Sequence, residues 1–182
     1  MSPPRKSRVK NRYNELGGEL YDVRYTEEQM EKYEHVFAHL DRGKTLDNGC
    51  GTGLFLPYLD EHSVGFDLST ELLRQARGRV GKRHLVQGDS ENLPFRAGIF
   101  DNMASVTVIQ NLPDPKHFFG ESSRVVKNGG VLVVSSHKRV YSKDEFKRLM
   151  RTGGMSVIIV NTVENINDWI AVIRNTRLMK IK

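Results

Sequence analysis

The stretch that decides the fold lies between residues 45 and 53 and reads Thr45-Leu46-Asp47-Asn48-Gly49-Cys50-Gly51-Thr52-Gly53. A short apolar strand runs here into a loop with three glycines at alternate positions, and a helix is predicted to follow. Because glycine has no Cβ, such a loop lets a nucleotide-like ligand approach bare backbone. A glycine trio alone is weak evidence, since turns use glycine routinely, so the interpretation depends on the surrounding sequence.

From residue 45 onward, short apolar runs alternate with helical patterns, as in βαβ folds. Strands are predicted at 45–48, 63–67, 84–87, 99–108, 131–136, 156–162 and 169–174. The last two strands are predicted to pair as a hairpin. Helices are predicted at 5–16, 27–40, 71–79, 115 to about 127, and from a cap at 142 to a point before 153. The first 42 residues therefore form a helical preface to an α/β core.

The composition is that of one folded domain. The chain has 182 residues, and its longest aliphatic runs are far shorter than the roughly 20 residues that span a bilayer. The first dozen residues lack the apolar segment of a secretory signal, which predicts a cytoplasmic protein without a membrane span. The lone Cys50 cannot form a disulfide or a metal cluster by itself, so no metal site is predicted.

The excess of positive charge lies in the tails. Residues 1–12 carry five basic and no acidic residues, and residues 174–182 carry four and none. The rest of the chain is slightly acidic, although the whole chain has a formal net charge of +6. Basic arms of this kind are typical of nucleic-acid contact, but solvated termini are often rich in Lys and Arg as well. Both interpretations stay open at this point.

Three acidic residues stand at the ends of three successive predicted strands. Asp47 precedes the glycine loop, Asp67 comes twenty residues after Asp47, and Asp89 ends the third strand. The carboxyl ends of parallel strands lie along one crevice, so the three carboxylates are expected to share a ligand site. A carboxylate at the position of Asp67 accepts hydrogen bonds from ribose hydroxyls in doubly wound folds.

The spacing of the glycines separates two classes of cofactor. A dinucleotide-binding loop has the pattern G-x-G-x-x-G, whereas the third glycine here comes one residue earlier. The charge of Asp47 would repel a diphosphate and attract an ammonium or sulfonium group. The loop therefore predicts S-adenosylmethionine as the cofactor.

From about Asn11 to Ser136 the chain resembles a class I S-adenosylmethionine-dependent methyltransferase of the quinone-methyltransferase-like subgroup, also called methyltransferase type 11. The resemblance rests on motifs that occur in the family's order: Leu46-Asp47-x-Gly49-Cys50-Gly51-Thr52-Gly53, Gly65-x-Asp67-Leu68-Ser69, Gly88-Asp89-x-Glu91-x-Leu93-Pro94-Phe95, Phe100-Asp101 through Ser105 to Leu112-Pro113-Asp114-Pro115, and Arg124-Val125-x-Lys127-x-Gly129-Gly130. It implies a Rossmann-like, seven-stranded, mostly parallel sheet with a C-terminal antiparallel strand, and a single domain over 1–182. In that domain residues 1–42 would be an N-terminal helical lid and residues 43–182 the core.

The resemblance also implies a role for each residue of the motifs. The methionine part of the cofactor would be held by Asp47 and by the backbone of Gly49, Cys50, Gly51 and Gly53. The ribose would contact Asp67 with the adjoining Leu68, the adenine Asp89 and Ser90, and the reacting methyl group Ser105. The closing aromatic segment would contain Tyr21 and Tyr25, together with Tyr13, although ordinary helix packing would explain these tyrosines equally well.

The sequence departs from the family at two positions near these motifs. Asn48 stands where an apolar residue is usual, and Asn128 where proline is usual. Neither is expected to touch the cofactor, so both are expected to weaken the strand and the turn only.

The acceptor of the methyl group stays open between two enzyme classes and a third possibility. Little sequence separates the last two strands, which predicts an open acceptor site, suited to RNA or to completion by a partner subunit at a sheet edge. The basic tails and a similarity to wobble-uridine tRNA methyltransferases favour RNA, specifically tRNA. A small quinone-precursor-like acceptor, or a cofactor-binding subunit without turnover, are the alternatives. No general base is assigned, and His117, His137 and Asp114 are the candidates.

Overall fold

The fold is given by a computed structural model, which describes residues 7–8, 11, 29–153, 155–161 and 166–176. Helix α1 covers residues 29–37, followed by α2 (Thr70–Ala76), α3 (Pro115–Val125) and α4 (Lys143–Met150). The strands are β1 (Thr45–Asn48), β2 (Val64–Asp67), β3 (His84–Gln87), β4 (Phe100–Ser105), β5 (Val126–His137), β6 (Ser156–Asn161) and β7 (Asp168–Arg174). Three short 3-10 turns lie at Leu56–Tyr58, Ile109–Asn111 and Arg151–Gly153.

The seven strands form one sheet in the order β3-β2-β1-β4-β5-β7-β6. Strands β1 to β5 pair in parallel, whereas β7 is antiparallel to both β5 and β6. The predicted Rossmann-like sheet with a C-terminal antiparallel strand is therefore confirmed, as is the β6–β7 hairpin. The strand order reverses between β1 and β4, and open α/β sheets bind ligands in the crevice at such a reversal.

The sheet is covered on both faces, which explains why residues 131–134 of β5 form a continuous apolar run. Alternate residues of a strand point to opposite faces. In β5, Leu132 and Val134 pack in one buried cluster, and Val131 and Val133 in the other. No helix in the described part of the chain is both long and apolar enough to cross a membrane.

Several predicted boundaries differ from the observed ones. Strand β4 ends at Ser105 instead of 108, because Thr107 has a φ of 64°, which a strand cannot continue. Strand β5 begins at Val126 instead of 131 and pairs with Phe100 across a register shift. The expected helix after the glycine loop is one 3-10 turn with proline at its start. Only a short segment connects this turn to β2, which leaves little room for a longer helix.

Helix α1 packs beside the glycine loop. Its Tyr33 ring stacks on Phe55, with ring centroids 4.8 Å apart and an interplanar angle of 12°. Val36 is fully buried, and so is the side chain of Lys32. The described part of the N-terminal segment is thus fixed to the core near the carboxyl ends of the strands. The predicted helix 27–40 is observed over 29–37, while most of helix 5–16 lies outside the described residues.

A buried asparagine fixes the end of β7 to the start of β5. The Asn175 amide nitrogen donates to the carbonyl oxygens of Ser123 (2.9 Å) and Val126 (2.8 Å). Its amide oxygen accepts from the hydroxyl group of Ser123 at 3.1 Å. Because α3 ends at Val125, this one side chain joins the helix end to two strands.

We expect Asn175→Ala to lower the free energy of unfolding by about 1–3 kcal/mol, since it leaves buried carbonyl groups without donors. Urea unfolding of the purified chain measures this change. Asn167→Ala is the matched control, because Asn167 is exposed, and it should change stability by less than about 0.5 kcal/mol. Equal effects of the two substitutions would contradict the anchoring role of Asn175.

Candidate functional site

The glycine loop leaves β1 and is held against the end of β2. The backbone N–H groups of Gly49 and Cys50 donate to the carbonyl oxygen of Phe66, at 2.7 and 3.1 Å. Gly49, Gly51 and Gly53 have φ angles of 94°, 53° and 77°, which favour glycine. A Cβ on Gly53 would also lie 2.8 Å from the side chain of Val80. The loop therefore needs glycine, and its backbone is open to close approach.

Asp47 is the last but one residue of β1 and is 3% exposed. Its Oδ2 atom is buried and has no hydrogen-bond partner among the residues that the structure describes. Burial, and to a lesser degree the nearby charge of Asp67, raises the pKa of Asp47 to about 8. At neutral pH this carboxyl group keeps its proton. A cation beside it would favour the ionised form, so the site suits a positively charged ligand group.

Asp67 ends β2 and bridges the loop to helix α2. Its two oxygens accept hydrogen bonds from the backbone N–H groups of Gly51 (2.9 Å) and Ser69 (2.8 Å). Burial raises the pKa of Asp67, while these backbone donors oppose the shift. A carboxylate offers about four lone-pair sites, so two donors leave acceptor capacity for ligand hydroxyl groups. The adjoining Leu68 is partly buried.

The third predicted acid lies beyond the end of β3. Asp89 accepts from the backbone N–H of Glu91 at 3.0 Å, and the hydroxyl group of Ser90 donates to the side-chain oxygen of Asn48 at 2.6 Å. The hydroxyl group of the fully buried Ser105 donates to the backbone carbonyl of Asn48 at 2.9 Å. Asn48 therefore joins the ends of β1 and β4 to the segment after β3.

This role differs from the expectation that Asn48 only weakens its strand. The residue is fully buried, and through Ser90 it contacts the segment expected to bind adenine. The sequence signal from which such a contact could have been predicted is a polar residue at a position that is usually apolar. The second departure, Asn128, lies within β5 and is exposed.

The segment after Asp89 is fixed by acidic and basic side chains of the motifs. Glu91 accepts from the backbone N–H of Asp114 at 2.8 Å, which fixes the start of α3. Glu121 accepts from the backbone N–H of Leu93 at 2.8 Å, and Arg124 donates to the carbonyl oxygen of Leu93 at the same distance. These motif residues position the candidate site without being part of it.

The candidate bases occupy different environments. Asp114 caps α3, as predicted, by accepting from the backbone N–H of Lys116 at 3.0 Å. His117 is 75% exposed, with Nδ1 3.5 Å from Oδ2 of Asp114. His137 ends β5 and is only 19% exposed, with Nδ1 2.7 Å from Oδ1 of Asp168. Of the three, only His137 is both largely buried and at a strand end.

A buried polar cluster around Asp168 was not predicted from the sequence. Asp168 begins β7 and is fully buried, and Lys32 of α1 places Nζ 3.1 Å from its Oδ1. Its Oδ2 accepts from the hydroxyl groups of Ser135 (2.8 Å) and Thr107 (3.1 Å). Burial alone would raise the pKa of Asp168, but His137, Lys32 and Ser135 together hold it below its usual value. The carboxylate is therefore ionised at neutral pH.

Of the remaining predicted residues, Cys50 is buried and the tyrosines lie outside the described part of the chain. Burial, with the nearby carboxylates of Asp47 and Asp67, raises the pKa of the Cys50 thiol, so this cysteine is no nucleophile. Tyr13, Tyr21 and Tyr25 lie outside the described residues. Within the described ranges, no group of three or more His, Cys, Asp or Glu residues could hold a metal ion.

Comparison with known sequences gives a family for this arrangement. Residues 46–134 match the family model described as "Methyltransferase domain". A phosphatidylethanolamine N-methyltransferase of Cereibacter sphaeroides is 31% identical over 129 residues, which are 65% of this chain and 63% of that protein. The chloroplastic 2-methyl-6-phytyl-1,4-hydroquinone methyltransferase 1 of Oryza sativa subsp. japonica is 33% identical over 111 residues, which are 57% of this chain and 32% of that protein. The chain thus spans less than two thirds of these relatives' length.

Solved structures share the fold. A methyltransferase of Haloferax volcanii, in complex with the Trm112 methyltransferase activator, superposes with a TM-score of 0.77 at 18% identity, covering 86% of this chain and 93% of that one. A SAM-dependent methyltransferase of Thermotoga maritima superposes with a TM-score of 0.70 at 20% identity, covering 86% and 94%. S-adenosylmethionine is the cofactor that the domain and such neighbours imply. The unpaired Asp47 oxygen and the bare glycine loop fit its cationic amino-acid part.

We expect the stability of the protein to fall as pH rises through the range set by Asp47. The folded state keeps a proton up to pH about 8, whereas the unfolded chain releases it near pH 4, so unfolding releases a proton between these values. The free energy of unfolding should then fall by up to about 1.4 kcal/mol per pH unit. Asp47→Asn should flatten this dependence and be more stable than the wild type at pH 8.

Chemical denaturation at several pH values between 5 and 9 checks this expectation. The matched control is Asp60→Asn, because Asp60 is exposed and its substitution should leave the pH dependence unchanged. The same slope in the wild type and in Asp47→Asn would show that Asp47 is ionised in the folded protein.

Proposed function

We propose that the chain, which matches a methyltransferase-domain model over residues 46–134, is a class I S-adenosylmethionine-dependent methyltransferase that transfers a methyl group to an acceptor bound at the carboxyl edge of the sheet. The single observation that carries this proposal is the buried, unpaired carboxyl group of Asp47 beside a loop of three glycines. When bound, the cofactor supplies an activated methyl group on a sulfonium ion. The protein has mainly to align the acceptor with it, which can lower the barrier by several kcal/mol.

The binding residues that we propose are those that the resemblance to the family implies. Asp47 and the backbone of Gly49, Cys50, Gly51 and Gly53 hold the methionine part, where the carboxylate attracts the ammonium group. Asp67 and Leu68 hold the ribose, Asp89 and Ser90 the adenine, and Ser105 stands nearest the reacting methyl group. Tyr21 and Tyr25 close over the cofactor as part of a helical lid over residues 1–42, with residues 43–182 as the core of a single domain.

The acceptor that we propose is RNA, specifically tRNA, in the cytoplasm. The basic tails support this assignment, since they offer phosphate contacts at both ends of the chain. One of these charges is already used, because Arg174 lies in β7 and its Nη1 is 2.8 Å from Oδ2 of Asp41. The others in the C-terminal tail lie outside the described residues.

A small apolar acceptor is the second candidate. It is favoured by the relatives, whose names specify phosphatidylethanolamine and a phytyl hydroquinone. A third reading, a cofactor-binding subunit without turnover, predicts binding without methyl transfer. A protein partner at a sheet edge would suit any of them, since β3 and β6 are the two edge strands and edge strands offer unpaired backbone groups. The neighbour solved with the Trm112 activator supports that possibility.

We expect S-adenosylmethionine and S-adenosylhomocysteine to bind the purified chain and NAD not to bind, as measured by calorimetric titration. Affinity should rise from pH 6 to 8, because binding displaces the proton of Asp47. Asp47→Asn should weaken binding about ten- to a hundredfold, which corresponds to losing a charged hydrogen bond. Asp60→Asn should bind as the wild type does. Binding of NAD with equal affinity would contradict the cofactor assignment.

We expect labelled methyl groups to appear in the RNA fraction when the chain is incubated with total RNA and labelled S-adenosylmethionine. The affinity for RNA should fall steeply with salt, with a slope of about 0.7 per phosphate contacted. A chain shortened by residues 1–12 should lose much of that slope. Label in the lipid extract instead would favour the small-molecule acceptor, and label in neither fraction despite cofactor binding would favour the subunit without turnover.

A further inference from the structure

The cluster around Asp168 lies next to the site but has no part in holding the cofactor residues named above. His137 and Asp168 face each other across the β5–β7 pair, at the last residue of one strand and the first of the other. Strand β5 adjoins β4, whose end carries Ser105, and β4 adjoins β1. The imidazole of His137 is therefore at the same edge as the glycine loop, two strands away.

The short distance between the two side chains determines where the proton of the imidazole lies. Nδ1 of His137 is 2.7 Å from Oδ1 of Asp168. An ionised carboxylate this close favours the ring form with its proton on Nδ1. In the neutral ring the lone pair is then on Nε2, which makes this atom a proton acceptor. The backbone N–H of His137 donates to Oε1 of Gln110 at 3.2 Å, which helps to fix the residue.

The surroundings of Asp168 keep its negative charge in place. Lys32 approaches from α1, the hydroxyl groups of Ser135 and Thr107 approach from β5 and from the segment after β4, and all are within 3.1 Å. The charge that follows the strand, Lys138, has another partner: its Nζ donates to the carbonyl oxygen of Ile166 at 2.7 Å. A carboxylate held in this way orients an imidazole and stabilises the imidazolium that forms when the ring gains a proton.

The backbone of Thr107 shows that this arrangement is maintained at a cost. Its φ of 64° is the one positive value among the described non-glycine residues. β-Branched residues rarely adopt this conformation, which costs on the order of 1–3 kcal/mol. The strained backbone directs its N–H to Oγ of Ser135 at 3.0 Å and its hydroxyl group to Asp168. Strain of this kind concentrates at functional sites.

We propose that Nε2 of His137 accepts the proton of the methyl acceptor, that Asp168 and Lys32 are positioning residues for it, and that the acceptor carries a proton on the atom that is methylated. This inference rests on the proposed methyl transfer. The acceptor atom forms a bond to the methyl carbon as its proton passes to Nε2, and the electron pair of the methyl–sulfur bond stays on sulfur. The imidazolium then returns the proton to water. A carboxylate or tertiary amine acceptor has no proton to lose and would not need His137.

The first test uses the protein alone. Long-range proton–nitrogen NMR of the histidine rings should show His137 with its proton on Nδ1, and Asp168→Asn should abolish that preference. His117 is the internal control, because it also adjoins a carboxylate but is three-quarters exposed. A wild-type His137 with its proton on Nε2 would overturn the proposal, whatever the activity.

The second test compares methyl transfer by matched variants. His137→Gln should lower kcat about a hundredfold or more, with an unchanged Kd for S-adenosylmethionine. His117→Gln should behave as the wild type. Equal kcat in both variants would overturn this inference and leave the proposed function standing. If the wild type binds the cofactor but transfers no methyl group, the proposed function fails, and this inference with it.

Asp168→Asn removes the buried carboxylate that lies 3.1 Å from Nζ of Lys32 and is expected to lower stability. The double variant Lys32→Met/Asp168→Asn removes both charges and should recover most of that stability. Its kcat should remain at least tenfold below the wild type, because the imidazole is no longer oriented. Recovery of kcat together with stability would show that the pair acts only in folding, which would overturn its positioning role.

Discussion

The carboxyl group of Asp47 is buried at the end of β1, the strand that leads into the glycine loop. Strand β1 lies between β2 and β4, so its end is covered on both sides, and Asp67 stands across the loop from it. Folding places two acids together there and gives Oδ2 of Asp47 no donor among the described residues. An arrangement that is unfavourable for the protein alone becomes favourable once a cation is present. The glycine loop and Asp67, which bridges this loop to α2, surround the carboxyl group of Asp47.

Asp168 is buried as deeply as Asp47, but its pKa moves in the opposite direction. The difference comes from the neighbours: Asp168 has an ammonium group, an imidazole and two hydroxyl groups, whereas Asp47 has a second carboxylate. At the end of β1, Asp47 is therefore an acid without a positive partner among the described residues. At the start of β7, Asp168 is a carboxylate whose charge is already balanced by its neighbours. Two carboxylates of similar burial are thereby suited to binding and to orientation, respectively.

Most of the fold could be predicted because strands and loops carry local signals. The alternation of apolar runs predicted all seven strands, and the resemblance to the family predicted a mostly parallel sheet with a C-terminal antiparallel strand. The boundaries at Ser105 and Val126 could not be predicted, since they depend on the φ of Thr107 and on pairing with Phe100. At the site, the proximity of Asp47 and Asp67 could be predicted, because both residues stand at the carboxyl ends of predicted parallel strands. The cluster of Lys32 and Asp168 could not be found, because the two residues are far apart in sequence and meet only through tertiary packing.

The Lys32–Asp168 pair connects the N-terminal helix to the far side of the sheet, and both side chains are fully buried. Removal of one partner of a buried ion pair generally costs about 3–5 kcal/mol. Replacement of both by apolar residues is far less costly. Positions 32 and 168 should therefore covary: related chains should keep both charges or lose both. Such covariation would record this contact.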